Sequence, residues 1–200
     1  MLMPIAAAAA AADAPAVEIT PFGAYRFGGT FDVEGADSSY ELEDSSSYGL
    51  LVNFRHQANT QWEILYSRQE TEAEFSDATI GALLVDVDVQ MLQGGGIYQW
   101  DGDAVLPFLS LTLGGTRIRI SSATGEDSDT FWSASIGAGL KIRPNERLGL
   151  RLEARAYGTF VSSSTDLFCQ TGPDANVCAV RIDSTMLRQI ETLAGVTFRF

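Results

Sequence analysis

Nearly every stretch of this chain alternates apolar and polar residues with a period of two, and no stretch carries a convincing helical period. Successive side chains of a strand point to opposite faces, so the pattern predicts half-buried β-strands almost throughout. In residues 17–33, Val17, Ile19, Tyr25, Phe27 and Phe31 share one face, and Glu18, Thr20, Arg26, Thr30 and Asp32 share the other. Residues 48–56 set Tyr48, Leu50, Val52 and Phe54 against Asn53 and Arg55, and residues 61–69 set Trp62, Ile64 and Tyr66 against Gln61, Glu63 and Ser67. Residues 83–100 begin with Val85, Val87 and Val89 on one face and end with Tyr98 and Trp100 on what looks like the other. That change falls at glycines 94–96, which predicts a slip of phase through a bulge or bend. Strands over 104–120, 130–142, 148–160 and 186–200 complete a set of eight.

The connectors alternate in length. Three are short: 56–59, 101–103 and 143–146. Four are longer, near 34–46, 69–82, 121–129 and 162–184, and most of the acids crowd into them, among them Glu41, Glu43, Glu70, Glu72, Glu74, Glu126, Asp127 and Asp174. Short turns at one end, long loops at the other and strands of about ten residues describe an all-β fold, an eight-stranded antiparallel up-and-down transmembrane β-barrel. A soluble periplasmic lipid-binding barrel closes its sheet in the same way but turns the apolar face inward. Three features favour the membrane. Aromatic residues collect beside the short turns, the bases in strand centres on the polar face are mostly arginine, which suits paired contacts with carboxylates in a confined space, and the alternation runs through to Phe200. The lumen then holds Glu18, Arg26, Arg55, Glu63, Lys141, Arg151, Glu153, Arg155, Glu191 and Arg199. An eight-stranded barrel is just wide enough for side chains to fill it, so a polar plug is expected, with a small diffusion channel as the alternative.

Composition narrows the function. Twenty-six acids against 13 bases give a formal charge of −13, which excludes a basic nucleic-acid-binding stripe. The segment 1–12, apolar and then alanine-rich, reads as the remnant of a secretory signal peptide, leaving 13–200 as one barrel domain. Cys169 and Cys178 flank a short polar turn, and the pair fits one disulfide in an oxidising compartment. The single histidine, His56, lies beside a short turn with no serine–carboxylate partner, so no catalytic site is expected. The acids Glu70, Glu72 and Glu74, or Asp86 and Asp88, lack the turn glycine and closing glutamate of a calcium loop, and no metal or cofactor is expected. Arg117, Arg119 and Arg188 fall by parity on the outward face near the long loops, where they are candidate contacts for lipopolysaccharide phosphates.

The signal-like start, the eight alternating strands and the closing "GVTFRF" resemble the small outer-membrane β-barrel proteins of Gram-negative bacteria, the OmpA/OmpX-type and Opa-like group often called the porin family. The segment "VLPFLSLTLGGTR" also resembles a fifth strand of that group. The resemblance implies an integral outer-membrane protein with long loops outside and both termini in the periplasm. It implies that Val196, Phe198 and Phe200, with Ala194 more weakly, are read by the barrel-assembly machinery. The expected function is a non-enzymatic monomeric barrel that touches outer-membrane lipid and displays acidic loops to an extracellular partner whose identity the sequence does not reveal.

Overall fold

The computed structural model describes residues 17–32, 39–41, 44–77, 81–122, 125–160, 169–171, 176–178 and 186–200. The segment 1–12 and most of the connectors 34–46 and 162–184 lie outside them. Eight long strands follow one another: β1 (Val17–Asp32), β2 (Ser45–Gln57), β3 (Thr60–Asp77), β4 (Gly81–Gln99), β5 (Val105–Ser122), β6 (Gly125–Ile142), β7 (Leu148–Phe160) and β8 (Leu187–Arg199). Each pairs antiparallel with its sequence neighbours, and β8 pairs with β1, so the sheet closes on itself. Val17 and Phe200 complete the seam by exchanging backbone bonds of 3.3 and 3.0 Å. Closure leaves no free edge around the belt, the condition for a sheet to sit in hydrocarbon. Stepping sideways from Ile19 through Val52, Ile64, Gly94, Leu113, Ala134, Gly158 and Arg188 returns to β1 at Thr30 rather than at Ile19. The strands are therefore staggered, with the tilt of roughly 40° that closed barrels show. The register slips once on β1, between Phe27 and Thr30, where Gly28 takes a positive φ of 75° and its N–H donates to Asp44 Oδ1 at 2.9 Å.

Three sequence expectations change. The connectors 69–82 and 121–129 are not long loops: β3 and β4 stay paired out to Asp77 and Gly81, and β5 and β6 out to Ser122 and Gly125. There is no slip at glycines 94–96 either, since the β4 ladders run through them unbroken on both sides. Odd positions of β4 point inward from Val87 to Gln99. What changes along the strand is the surroundings. Near the short turns the outside is apolar and the inside mixes charged and polar groups with Ile97, Leu106 and Phe108, whereas near the hairpin end Val87, Val89, Met91, Ile118, Phe131 and Leu187 are buried inside. Arg68, Glu70, Asp88, Arg117 and Arg188 take the outer positions there. Val87 and Val89, on the apolar face of the alternating pattern, are thus core residues of a barrel that continues beyond the membrane and is packed there like a water-soluble one.

Inward glycines make room for large neighbours. A Cβ on Gly137 would collide with the Glu153 carboxylate and the Ser110 hydroxyl, and one on Gly139 would strike the Phe108 ring at 2.8 Å.

Candidate functional site

The middle of the lumen is a ring of two arginines and two glutamates. Arg151 and Glu153 are consecutive inward residues of β7, Arg155 is the next, and Glu63 reaches across from β3. Arg151 Nη2 meets Glu63 at 2.8 Å and Glu153 at 2.6 Å; Arg155 Nη2 meets the same two carboxylates at 2.6 and 2.7 Å. Each acid thus bridges both bases. Asn53 donates to Glu63 and Ser110 to Glu153, while Arg155 also reaches Ser135 and Thr112. The Arg151 guanidinium lies 4.5 Å from the centre of the Phe108 ring.

A second cluster lies toward the hairpin end. Arg26 pairs with Glu191 through Nη2 at 2.6 Å and Nε at 2.9 Å and donates to Ser67 and Gln69. Ser47 and the Tyr157 hydroxyl donate to the same carboxylate at 2.6 and 2.8 Å. A third cluster closes the short-turn end, where Lys141 Nζ meets Glu18 at 2.5 Å and Gln61 at 2.7 Å. Taking a charge out of water is costly, and these groups are tolerated because each is ion-paired and neighbouring hydroxyls and amides add hydrogen bonds. Among the described residues the buried charges balance, with Arg26, Lys141, Arg151 and Arg155 facing Glu18, Glu63, Glu153 and Glu191.

Two residues expected in this network stand apart. Arg55 is exposed, at the end of β2 where the register shifts before the turn. Arg199 sits at the mouth, its Nη2 donating to the Leu148 carbonyl at 2.9 Å and its Nε 4.0 Å from Glu18. Lys141, not an arginine, is the close partner of Glu18. His56 is exposed and lies 5.3 Å from the Trp62 ring, centre to centre. Arg117, Arg119 and Arg188 do sit at outward positions near the hairpin end, and Arg117 donates to Ser128 at 3.1 Å. Cys169 and Cys178 stand directly opposite one another in a small two-stranded ladder, a separation of backbones that a disulfide can span.

Outside, large apolar side chains are exposed, including Leu111 at 65% and Trp132 at 69%. They form an aliphatic belt between two aromatic rims. Phe54, Trp62, Tyr98, Trp100, Phe198 and Phe200 make the rim at the short-turn end. Tyr25, Phe27, Tyr48, Tyr66, Trp132 and Phe160 make the other, which the sequence reading missed because those residues lie inside long strands rather than beside turns. A closed barrel with an apolar band, aromatic rims and a charged, filled interior is a transmembrane β-barrel.

The comparisons with known proteins agree. The chain matches the model of the outer membrane protein beta-barrel domain over residues 2–185 and belongs to that family, which places it in the bacterial outer membrane. Comparison with curated proteins finds no match. Among solved structures it is similar to Neisserial surface protein A, with 13% identity, a TM-score of 0.63, and 92% of this chain and 97% of that one covered. It is also similar to the outer membrane protein AlkL in lipid bilayers, with 13% identity, a TM-score of 0.52, and 100% of this chain and 97% of that one covered. Identities this low speak for the shared fold alone.

Proposed function

We propose that this protein is a sealed, non-enzymatic membrane anchor that presents an acidic surface at its hairpin end, with that end extracellular and both termini periplasmic. The observation that carries the reading is the filled lumen: Arg26, Arg151, Glu191 and Ser67, on different walls of the barrel, each have 0% of their surface accessible. A solute cannot pass groups that a water molecule cannot touch. Among the described residues the buried carboxylates of the lumen are engaged with bases, which argues against a general acid or base there. The small-channel reading would need a stable conductance of uniform size from pure protein in planar bilayers; the expected result is none. Deleting residues 34–46 and 162–184 separately should abolish binding to a surface partner while leaving heat-modifiable gel migration, the mark of a folded barrel, intact.

Arg119 and Arg188, with Arg117, supply charge-assisted donors at the outer rim suited to lipopolysaccharide phosphates, and replacing all three with glutamine should weaken that binding. The facing cysteines would staple the connector between β7 and β8, a bond that a shift in gel mobility on reduction would reveal.

A further inference from the structure

The lipid-facing belt is not the same height all round. On β3 the outward row runs from Trp62 through Ile64 to Tyr66 and is then interrupted by Arg68 and Glu70. On β2 it runs from Phe54 to Tyr48, above which come Ser46 and Asp44; on β4 it runs from Trp100 through Gly96 and Gly94 to Leu92, above which come Gln90 and Asp88. Across the barrel the rows are longer: Ile142 to Trp132 on β6, Leu148 to Phe160 on β7, Phe200 to Ile190 on β8. A tilted strand climbs about 2.5 Å per residue along the barrel axis. The apolar band is therefore roughly 10 Å high at β3 and about 25–30 Å at β6 and β7, against a hydrocarbon core of about 30 Å. Tilting the whole barrel cannot produce this, because tilt moves both rims together and leaves the length of each row unchanged.

The groups above the short rows are built to stay where they are. Arg68 Nη2 is held between Asp88 at 2.6 Å and Glu70 at 3.0 Å, so the first charges above Tyr66 pair with one another instead of stretching toward distant water. Below the belt on this side, the two-residue turn at 58–59 closes directly under Trp62. The outward positions Gly94 and Gly96 add no side chain to this face, and a Cβ on Gly94 would meet open space.

We propose that the β2–β4 face holds the adjoining bilayer thin, so that lipid on this side is compressed while β6–β8 meet a bilayer of full thickness. The proposed occupant of the face is lipid itself, not a second copy or another protein. The inference rests on the membrane location of the barrel, and it fails separately from the sealed-anchor reading.

Depth-dependent quenching tests it. The wild-type tryptophans are Trp62, Trp100 and Trp132. Variants with a single tryptophan at 62, at 66 (Tyr66→Trp), at 132 or at 140 (Leu140→Trp), with phenylalanine at the other native positions, would be folded into dioleoylphosphatidylcholine vesicles carrying shallow or deep dibromolipids. Heat-modifiable migration would confirm that each is a folded barrel. All four sites should be quenched more strongly by the shallow bromines, including 62 and 66, which lie close together on one strand. Strong deep quenching at 62 or 66 would overturn the proposal, because one of them would then lie inside a bilayer of normal thickness. Weak quenching at both by every lipid, with normal quenching at 132, would also overturn it, since protein would be covering the face. In the background Arg68→Leu, Glu70→Leu, Asp88→Leu the belt is extended, and the tryptophan at 66 should move to the deep-quenched class; if it stays shallow, the short row does not set the thickness.

Discussion

Arg155 shows how much a single lumen residue carries. Its guanidinium is shared by Glu63 and Glu153, so replacing it strips both acids of a partner they cannot regain from water. Arg155→Met should cost about 3–5 kcal/mol, the range for breaking a buried pair from one side, measured by urea unfolding in short-chain lipid vesicles. Restoring charge balance with a second change, Glu153→Gln, should recover part of the loss; no recovery would mean that packing, not charge, holds the ring. Glycines give a sharper contrast. Gly137→Val drives a side chain into Glu153 and Ser110 and should lower the folded yield severely, whereas Gly94→Val fills open space on the outside and should be tolerated. Folded fractions on unheated gels would compare the two. The identities of most buried charges were legible from alternation, because inward parity and strand-centre position suffice. The pairing was not. Which acid meets which base depends on the stagger of the strands, and parity says nothing about stagger, so Lys141 with Glu18 and the outlying Arg55 could be read only from the closed barrel.

At the scale of strands and hairpins, the sequence gives the order and number of elements but misplaces their upper ends. Acids and glycines in 69–82 and 121–129 read as loops because a membrane strand was expected to stop where its apolar outer row stops. The strands continue, since β-structure needs paired backbone and one buried face, and both are available above the belt once the inside turns apolar around Val87, Val89 and Ile118. The apparent slip at glycines 94–96 has the same cause: the phase is constant and the solvent changes sides. A consequence can be measured. Residues 78–80 and 123–124 join hairpins that stand clear of the belt, so a short epitope inserted at either should be detected on intact cells. The same epitope after Gly102, at the opposite end, should appear only after the outer membrane is opened. Detection of the Gly102 epitope on intact cells would reverse the orientation proposed above.

For the whole molecule, the placement of charge matters more than its total. Among the described residues the lumen is neutral, with four bases facing four acids. At the short-turn end Arg55, Arg143, Arg147 and Arg199 stand with Asp101, Asp103 and Glu146. The charged residues that strand order assigns to the hairpin end and its connectors, 18 acids and five bases, carry the excess of negative charge. Negative charge gathered at one end in this way repels polyanions and draws in cations over about a Debye length, roughly 8–10 Å in physiological salt. Folded protein in neutral detergent should therefore bind a short polylysine peptide, with affinity falling steeply as salt is raised. Glu70→Gln with Glu72→Gln and Glu74→Gln should weaken that binding, while Asp101→Asn with Asp103→Asn should leave it unchanged, although the second pair also removes negative charge. Equal losses from the two sets, read by titration calorimetry at fixed ionic strength, would mean that total charge governs the association and that the division of charge between the two ends does not.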